Sequence, residues 1–177
     1  LTSEGAVQHR HKFIKINALI FTNLAPEHLE SHGSFENYRE AKLKYFKALE
    51  KSKEKRRIII INEDDQNASR FLNFDIPEKI KYSLKNIKSY NLHKDGIEFE
   101  IDNIKIKSKL SGEFNLYNIL AAVAFSKSQN IGMETIKSAL EKFSGIEGRM
   151  EEIKAGPAEG EARQRRQEFK IIVDYAH

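Results

Sequence analysis

The sequence predicts an α/β protein in which a mostly parallel β-sheet is flanked by helices, with a small antiparallel β portion. Two short, continuous apolar runs at residues 18–22 and 57–62 have the composition of strands that are buried on both faces. A segment with helical periodicity separates them, and this alternation of strand and helix is typical of parallel sheets. Further along the chain, apolar and polar residues alternate, which indicates half-exposed antiparallel strands.

The first half of the chain supplies the elements of the parallel sheet. Ser34 can cap a helix that runs to about Glu50, although Asn37 stands where a complete capping box has Glu or Gln. The second apolar run ends in Glu-Asp-Asp-Gln-Asn, and a short helix is predicted at Ala68–Leu72. The long helix carries its apolar and aromatic side chains near one face: Tyr38, Ala41, Tyr45, Ala48 and Leu49.

The middle of the chain changes character, because its apolar residues recur at every second position. This pattern predicts strands with one buried face, and we expect them to be antiparallel. Turn sequences at residues 94–96 and 102–103 separate the later strands of this group. The predicted strands are residues 80–84, 87–92, 97–101 and 104–107.

Two helices are predicted after these strands, at residues 115–130 and 134–143, and Gly132 and Gly145 punctuate them. The rest of the chain is expected to contain a linker at 145–148, two strands at 149–154 and 169–174, and a polar hairpin tip at 155–167 between those strands.

Composition bounds the class of protein. The 177 residues, 40% hydrophobic and 32% charged, suit one domain or one domain and a fragment of another. Cysteine is absent, so disulfides and thiolate metal sites are excluded. There is no apolar run of roughly 20 residues and no signal-peptide pattern, so we expect a cytoplasmic location. The chain begins without Met and ends directly after a strand-like run, so we expect it to be a piece of a longer protein.

His28 and His32 stand four residues apart after the first strand, which raises the question of a metal site. A zinc peptidase needs Glu directly after the first His, whereas here Glu30 is in the third place and Gly33 ends any helix. Spacing alone leaves open that these are surface histidines in a loop. Position favours a site, because ligands of open α/β sheets bind beyond the carboxyl ends of the strands. Lys42 follows within the next helix.

Other candidates are weak individually. Gln8 and Arg10 can hold an anionic substrate, since Arg can form two parallel hydrogen bonds to a phosphate or carboxylate. The alternative that they belong to an ordinary polar loop stays open. His9 and His11 lack a third metal ligand nearby. Asn115 and Asn118 lie at neighbouring positions of a helix start, where two amides can read the edge of a base or one can cap the helix. The remaining candidates are Arg149, Asp174 and His177.

Five motifs, taken in order, resemble the Mur ligases, ATP-dependent amide-forming ligases of peptidoglycan precursor synthesis. They are "TSEGAVQHRH", "FTNLAPEHLESHGSFENYREAK", "GEFNLYNILAA", "GRMEEI" and "IIVDYAH". The resemblance spans essentially the whole chain. It implies a central, P-loop-like ATP-binding domain over residues 1–147 and the start of a Rossmann-like C-terminal domain over residues 148–177. It is strongest to the branch that adds the third amino acid to UDP-MurNAc-L-Ala-D-Glu.

The resemblance also implies roles for individual residues. His28 would be a Mg²⁺ ligand, Lys42 would react with CO₂ to form a carbamate, and His32 would shape the turn. The UDP-muramyl peptide would contact Thr2, Gln8 and Arg10. ATP would contact Asn115, Asn118, Arg149, Asp174 and His177. The family's Gly-x-x-Gly-Lys-Thr phosphate loop does not occur in this sequence, so we expect the piece alone to be inactive.

Three alternatives stay open at this point. Folylpolyglutamate synthase is a relative with the same chemistry, but its strand-end motif resembles Asp-Gly-Ala-His rather than the Asp-Tyr-Ala-His found here. Cyanophycin synthetase is another relative. A non-catalytic nucleotide- or RNA-binding module is compatible with the net charge of +4 and pI of about 9.1, although no nucleic-acid signature accompanies the basic runs. We expect no nucleic-acid or membrane partner and a monomer.

Overall fold

The structure is a computed structural model that describes residues 1–25, 32–149, 151–153 and 171–175. Its helices are α1 (Ser3–Val7), α2 (Phe35–Glu50), α3 (Ala68–Leu72), α4 (Glu113–Ser128) and α5 (Met133–Lys142). Its strands are β1 (Ala18–Phe21), β2 (Ile58–Asn62), β3 (Glu78–Tyr82), β4 (Ser89–His93), β5 (Gly96–Ile101), β6 (Ile104–Ser108), β7 (Glu151–Ile153) and β8 (Ile171–Val173). Within this part of the chain, no helix is long and apolar enough to cross a membrane.

The parallel sheet has the order β1-β2-β3, and the apolar β2 lies in its centre. All residues of β2 are buried. Ile59 and Ile61 pack into a core with α2 and α3, whereas Ile58 and Ile60 pack into a second core with α4 and the antiparallel strands. Because successive side chains of a strand point to opposite faces, an unbroken run of isoleucine fits a sheet covered on both sides.

The prediction of an antiparallel strand at residues 80–84 is wrong. The strand there is Glu78–Tyr82, which pairs in parallel with β2 as the third strand of the main sheet. Ile80 and Tyr82 belong to the core on the α4 side, while Lys79 and Lys81 are exposed. The alternating pattern therefore reports that only one face of β3 is covered. It does not report the direction of the strand.

The antiparallel portion is confirmed as a separate sheet in the order β4-β5-β6. Asp102 and Asn103 both have positive φ, as a two-residue hairpin turn between β5 and β6 requires. Gly96 begins β5 where a Cβ atom would come within 2.4 Å of the carbonyl oxygen of Ser108, so only glycine fits there. The predicted helices after this sheet are confirmed as α4 and α5, shifted by one or two residues.

The hairpin β7–β8 is antiparallel, with Glu151 opposite Val173. The predicted hairpin tip at residues 155–167 lies outside the described residues, and the division of the chain after residue 147 stays a prediction. The helix α1 was not predicted. It is short, capped by the hydroxyl of Thr2, and packed against α2 through the buried residues Gly5 and Ala6.

We expect the two-sided burial of β2 to dominate the stability of the fold. Ile60 has no exposed surface, whereas Ile20 in the neighbouring strand is 40% exposed. Ile60→Ala should lower the free energy of unfolding by about 2–5 kcal/mol, because it removes buried methyl groups and leaves a cavity. Ile20→Ala is the matched control and should cost clearly less. Urea unfolding of both variants measures this, and equal losses would contradict the assignment of β2 as the central strand.

Candidate functional site

A cluster of polar side chains joins the carboxyl ends of β1 and β2. The side-chain amide of Asn62 donates to the carbonyl of Thr22 at 2.8 Å. The carboxylate of Asp65 accepts from the backbone N–H of Leu24 at 2.9 Å and from that of Asn67 at 2.7 Å. These bonds hold the chain that leaves β1 against the turn that follows β2, so the two strand ends form one rigid edge.

Asp64, in the same turn, joins this edge to β3 and α4. Its carboxylate accepts from the hydroxyl of Ser83 at 2.7 Å, the N–H of Leu84 at 2.8 Å and the hydroxyl of Tyr117 at 3.1 Å. Partial desolvation acts to raise the pKa of Asp64, but these hydrogen bonds outweigh it, and the pKa is lowered from its ordinary value. Desolvation and the charge of Asp64 raise the pKa of Tyr117 to about 12, so Tyr117 stays a donor at neutral pH.

Lys42 lies on the face of α2 that is turned toward the end of β1. Its side chain is half-buried, and Nζ is 5.0 Å from the centroid of the Tyr38 ring. Lys42 lines a cleft of about 360 Å³ together with β1 and the following residues Thr22 and Asn23. The predicted catalytic lysine therefore faces the carboxyl edge of the sheet. His28, the predicted metal ligand, lies outside the described residues.

The predicted substrate residues Thr2, Gln8 and Arg10 belong to α1 and the loop that follows it. The hydroxyl of Thr2 accepts from the N–H of Gly5 at 3.1 Å and is thereby used as a helix cap. Gln8 lines a second cleft, of about 520 Å³, between α1 and α2, with His32 on its wall. Arg10 is exposed, and its backbone N–H donates to the carbonyl of Gly5 at 2.8 Å.

Two histidines fix this segment to α2. His32 Nε2 is 2.9 Å from the hydroxyl of Ser3, and the amide of Asn37 donates to the His32 carbonyl at 2.9 Å. The His11 ring makes a T-shaped contact with the ring of Tyr45, and its Nδ1 atom has no hydrogen-bond partner within the part of the chain that is described. Burial lowers the pKa of His11, and the neighbouring cations lower it further, so the ring is neutral at pH 7.

The two asparagines lie at the start of α4, as predicted, but neither caps it. Gly112 is the N-cap residue and makes no side-chain capping bond. The amide of Asn115 donates to the carbonyl of Ser111 at 2.9 Å, and its own oxygen accepts from Asn118 at 3.3 Å. The capping alternative is therefore wrong, and the paired amides form one hydrogen-bonded unit on the helix.

The structure brings Asn115 and Arg149 to one cleft of about 660 Å³, which Lys94 and Lys109 also line. Arg149 donates from Nη1 to the carbonyl of Tyr175 at 2.6 Å, and its guanidinium lies 5.7 Å from the centroid of that ring. Asp174, which precedes Tyr175, is exposed. His177 lies outside the described residues. The same cleft is lined by the carboxylates of Asp95, Glu147 and Glu151, so its three cationic side chains are matched by three anionic ones, and Asn118 reaches it only through its hydrogen bond to Asn115.

No group of three or more His, Asp or Glu side chains that could hold a metal ion occurs among the residues placed by the structure. The Lys42 cleft has no Asp or Glu among its described lining residues. Both carboxylate oxygens of Asp65 are already occupied by N–H donors. Mg²⁺ prefers oxygen ligands, so within this lining an anionic oxygen would have to come from a modified Lys42.

The chain therefore folds as an α/β domain, and its candidate site lies at the carboxyl edge of the parallel sheet. A family profile described as the Mur ligase middle domain matches residues 1–126. The chain therefore belongs to the Mur ligase family.

Individual relatives agree with this assignment. The chain is 34% identical to UDP-N-acetylmuramoyl-L-alanyl-D-glutamate–2,6-diaminopimelate ligase of Syntrophomonas wolfei, over 93% of this chain and 33% of that protein. It is 30% identical to UDP-N-acetylmuramyl-tripeptide synthetase of a Roseiflexus species, over 89% of this chain and 32% of that protein. The chain thus spans about a third of the length of these relatives.

A solved structure of a UDP-N-acetylmuramoyl-L-alanyl-D-glutamate–2,6-diaminopimelate ligase has the same fold. It superposes with a TM-score of 0.73 at 24% identity, over 88% of this chain and 34% of that one. The likeness confirms the mixed α/β architecture with its parallel and small antiparallel sheets.

We predict that Asp64 makes the stability of the chain pH-dependent in the acid range. Its pKa is lowered in the folded state, so its contribution is present above its unfolded pKa of about 3.9 and is lost as the pH falls through the folded pKa. Because Asp64 is exposed and solvent screens its charge, Asp64→Asn should lower the free energy of unfolding by at most about 1 kcal/mol at pH 7, and the difference should shrink below about pH 4.

Urea unfolding of both proteins between pH 7 and pH 3 measures this. Asp95→Asn, at an exposed turn, is the matched control and should be nearly neutral throughout. A difference for Asp64→Asn that stays constant across this pH range would contradict the role given to the carboxylate.

Proposed function

We propose that the full-length protein containing this chain is an ATP-dependent ligase that adds the third amino acid to UDP-MurNAc-L-Ala-D-Glu in peptidoglycan precursor synthesis. The observation that carries this proposal is the position of Lys42, half-buried and facing the carboxyl edge of the parallel sheet in a member of the Mur ligase family. The names of the relatives that match almost the whole chain support the choice of acceptor.

In the proposed reaction, ATP phosphorylates the carboxylate of the acceptor, and the amine of the incoming amino acid then attacks the acyl phosphate and releases phosphate. The first step brings several negative charges together, so it needs cationic shielding. Mg²⁺ would supply this shielding, held by His28 and oriented by a carbamate on Lys42. A carbamate fits the cleft, because it supplies the anionic oxygen that the described lining residues lack.

The acceptor is an anion with phosphate and carboxylate groups, and its proposed contacts are Thr2, Gln8 and Arg10. Arg10 offers an exposed guanidinium that can take a carboxylate or phosphate in a two-point contact. Gln8 lines the cleft between α1 and α2 and can add an amide. The side-chain oxygen of Thr2 caps α1, so Thr2 would contribute through its hydroxyl proton or through the position of the helix.

The nucleotide is proposed to occupy the cleft that holds Asn115 and Arg149. Paired amides at Asn115 and Asn118 have the donors and acceptors to recognise an adenine edge, and Arg149 supplies positive charge. Asp174 and His177 are proposed to complete this site when ATP is bound. We also propose that the protein is cytoplasmic and monomeric.

The decisive test is phosphate release by the full-length protein with ATP, Mg²⁺, UDP-MurNAc-L-Ala-D-Glu and a panel of amino acids that includes diaminopimelate and lysine. We expect release that depends on one amino acid. Lys42→Ala should reduce kcat by at least about 100-fold, because the shielding cation loses an anionic partner. Added short-chain carboxylates should restore part of the rate.

Lys47→Ala is the matched control, since Lys47 lies on the same helix and pairs with Glu40 at the surface. It should retain nearly full activity. Absence of amino-acid-dependent release from a folded full-length protein would overturn the proposal. Release with a folate and glutamate would instead assign the protein to the folylpolyglutamate-synthase-like relatives.

Arg149 provides a separate test of the nucleotide cleft. Arg149→Ala should raise the KM for ATP by about tenfold, as expected for the loss of one charge-assisted hydrogen bond. The KM for the UDP-muramyl acceptor should change little. Arg56→Ala is the control, because Arg56 forms a surface ion pair with Glu78. An unchanged KM for ATP in Arg149→Ala would contradict the placement of the nucleotide.

A further inference from the structure

Tyr45 lies on α2, three residues after Lys42, and is a buried residue that contacts the α1 segment. It is only 4% exposed, yet its hydroxyl donates a hydrogen bond to the backbone carbonyl of Thr2 at 2.8 Å. Its ring makes a T-shaped contact with the ring of His11, with centroids 5.1 Å apart and planes at 72°. Burial raises the pKa of Tyr45, so the hydroxyl keeps its proton and remains a donor at neutral pH.

These two contacts fall at opposite ends of one segment. Thr2 is the residue that caps α1, and His11 lies just after Arg10 in the loop that leaves the helix. The segment between them is braced by its own backbone, since the N–H of Arg10 donates to the carbonyl of Gly5 and that of Gln8 to the carbonyl of Glu4, each at 2.8 Å. Tyr45 therefore touches both ends of a compact unit that carries Gln8 and Arg10.

The close approach of Tyr45 to α1 depends on a glycine. A Cβ atom added at Gly5 would lie 3.0 Å from the hydroxyl oxygen of Tyr45 and 3.1 Å from the side-chain oxygen of Thr2. A side chain at this position would therefore press on the hydrogen bond between Tyr45 and α1. The backbone of α1 and the tyrosine hydroxyl are fitted to each other at this point.

We propose that Tyr45 is a positioning residue that sets the segment carrying Gln8 and Arg10 at a fixed distance from Lys42, and so tunes the affinity for the anionic acceptor. The inference rests on the proposed function. Tyr45 and Lys42 line the same cleft and share one rigid helix. Movement of α1 relative to α2 would change the distance between Lys42 and the side chains of Gln8 and Arg10.

The test uses Tyr45→Phe in the full-length protein, which removes the hydroxyl and keeps the ring. We expect the KM for UDP-MurNAc-L-Ala-D-Glu to rise about fivefold, the size expected from one neutral hydrogen bond. The KM for ATP and kcat should stay within about twofold, because Lys42 and the nucleotide cleft do not move. Amide exchange at Gly5, Ala6, Gln8 and Arg10 should accelerate by a similar factor.

Gly5→Ala is a second variant, and it raises the helix propensity of α1. Alanine favours the helical backbone, so a purely structural role of this contact predicts no loss of acceptor affinity. The new methyl group would press on both the Tyr45 hydroxyl and the Thr2 side chain, so a raised acceptor KM in Gly5→Ala supports the positioning role only when Tyr45→Phe raises it as well, and the decision rests on Tyr45→Phe. Tyr90→Phe is the control for loss of a tyrosine hydroxyl elsewhere, on the exposed strand β4, and should change neither KM nor exchange.

The outcomes separate the two proposals. A wild-type protein without ligase activity overturns the proposed function. An active wild type, combined with an unchanged acceptor KM in Tyr45→Phe, overturns the positioning role alone. A fall in thermal stability and kcat with no change in the acceptor KM also overturns it, because that result describes a residue needed only for packing.

Discussion

The burial of β2 on both faces is the constraint on which the rest of the structure depends. Its isoleucines divide between two cores, one shared with α2 and α3 and the other with α4 and the antiparallel sheet. A central strand with no exposed face needs covering helices on both sides, and it holds both neighbours in parallel. The carboxyl ends of the strands then meet at one edge, and the direction of β2 places the polar residues that follow it at this edge.

That edge stays rigid because its polar groups satisfy one another. Asn62 and Asp65 bind the chain beyond β1, and Asp64 binds the ends of β3 and the side of α4. Asp64 is exposed and Asp65 is half-buried, and each carboxylate accepts several hydrogen bonds from fixed donors. The same bonds explain the lowered pKa of Asp64. The network also connects the helix that carries Asn115 with the edge that Lys42 faces, so the two proposed binding regions share one framework.

The sequence predicted the elements that repeat a strong pattern. The run of isoleucine identified β2, and the aromatic face of residues 38–49 identified α2. The direction of the strand at residues 80–84 was predicted wrongly. Alternation of apolar and polar residues shows that one face of a strand is covered, and it is the same in parallel and antiparallel strands. The sequence missed α1, because five residues carry too little periodicity. The turn of Asp64 and Asp65 was recognised only as a strand end, although acidic residues after a buried parallel strand are a usable signal of a site.

The site illustrates why motif order can be informative when single motifs are not. Lys42 taken alone is an ordinary helix lysine, and spacing gives no reason to connect it with Gln8 or Arg10. The structure supplies that reason through the period of α2, since residues 38, 42 and 45 lie along neighbouring positions of one helical face. Tyr38 lies beside the lysine, Tyr45 holds α1, and Phe46 and Leu49 anchor the helix in the core. One helix thus carries the lysine that is proposed to form a carbamate and fixes the segment proposed to bind the acceptor. Because the buried side of this helix packs into the core, the position of Lys42 relative to α1 is set by packing.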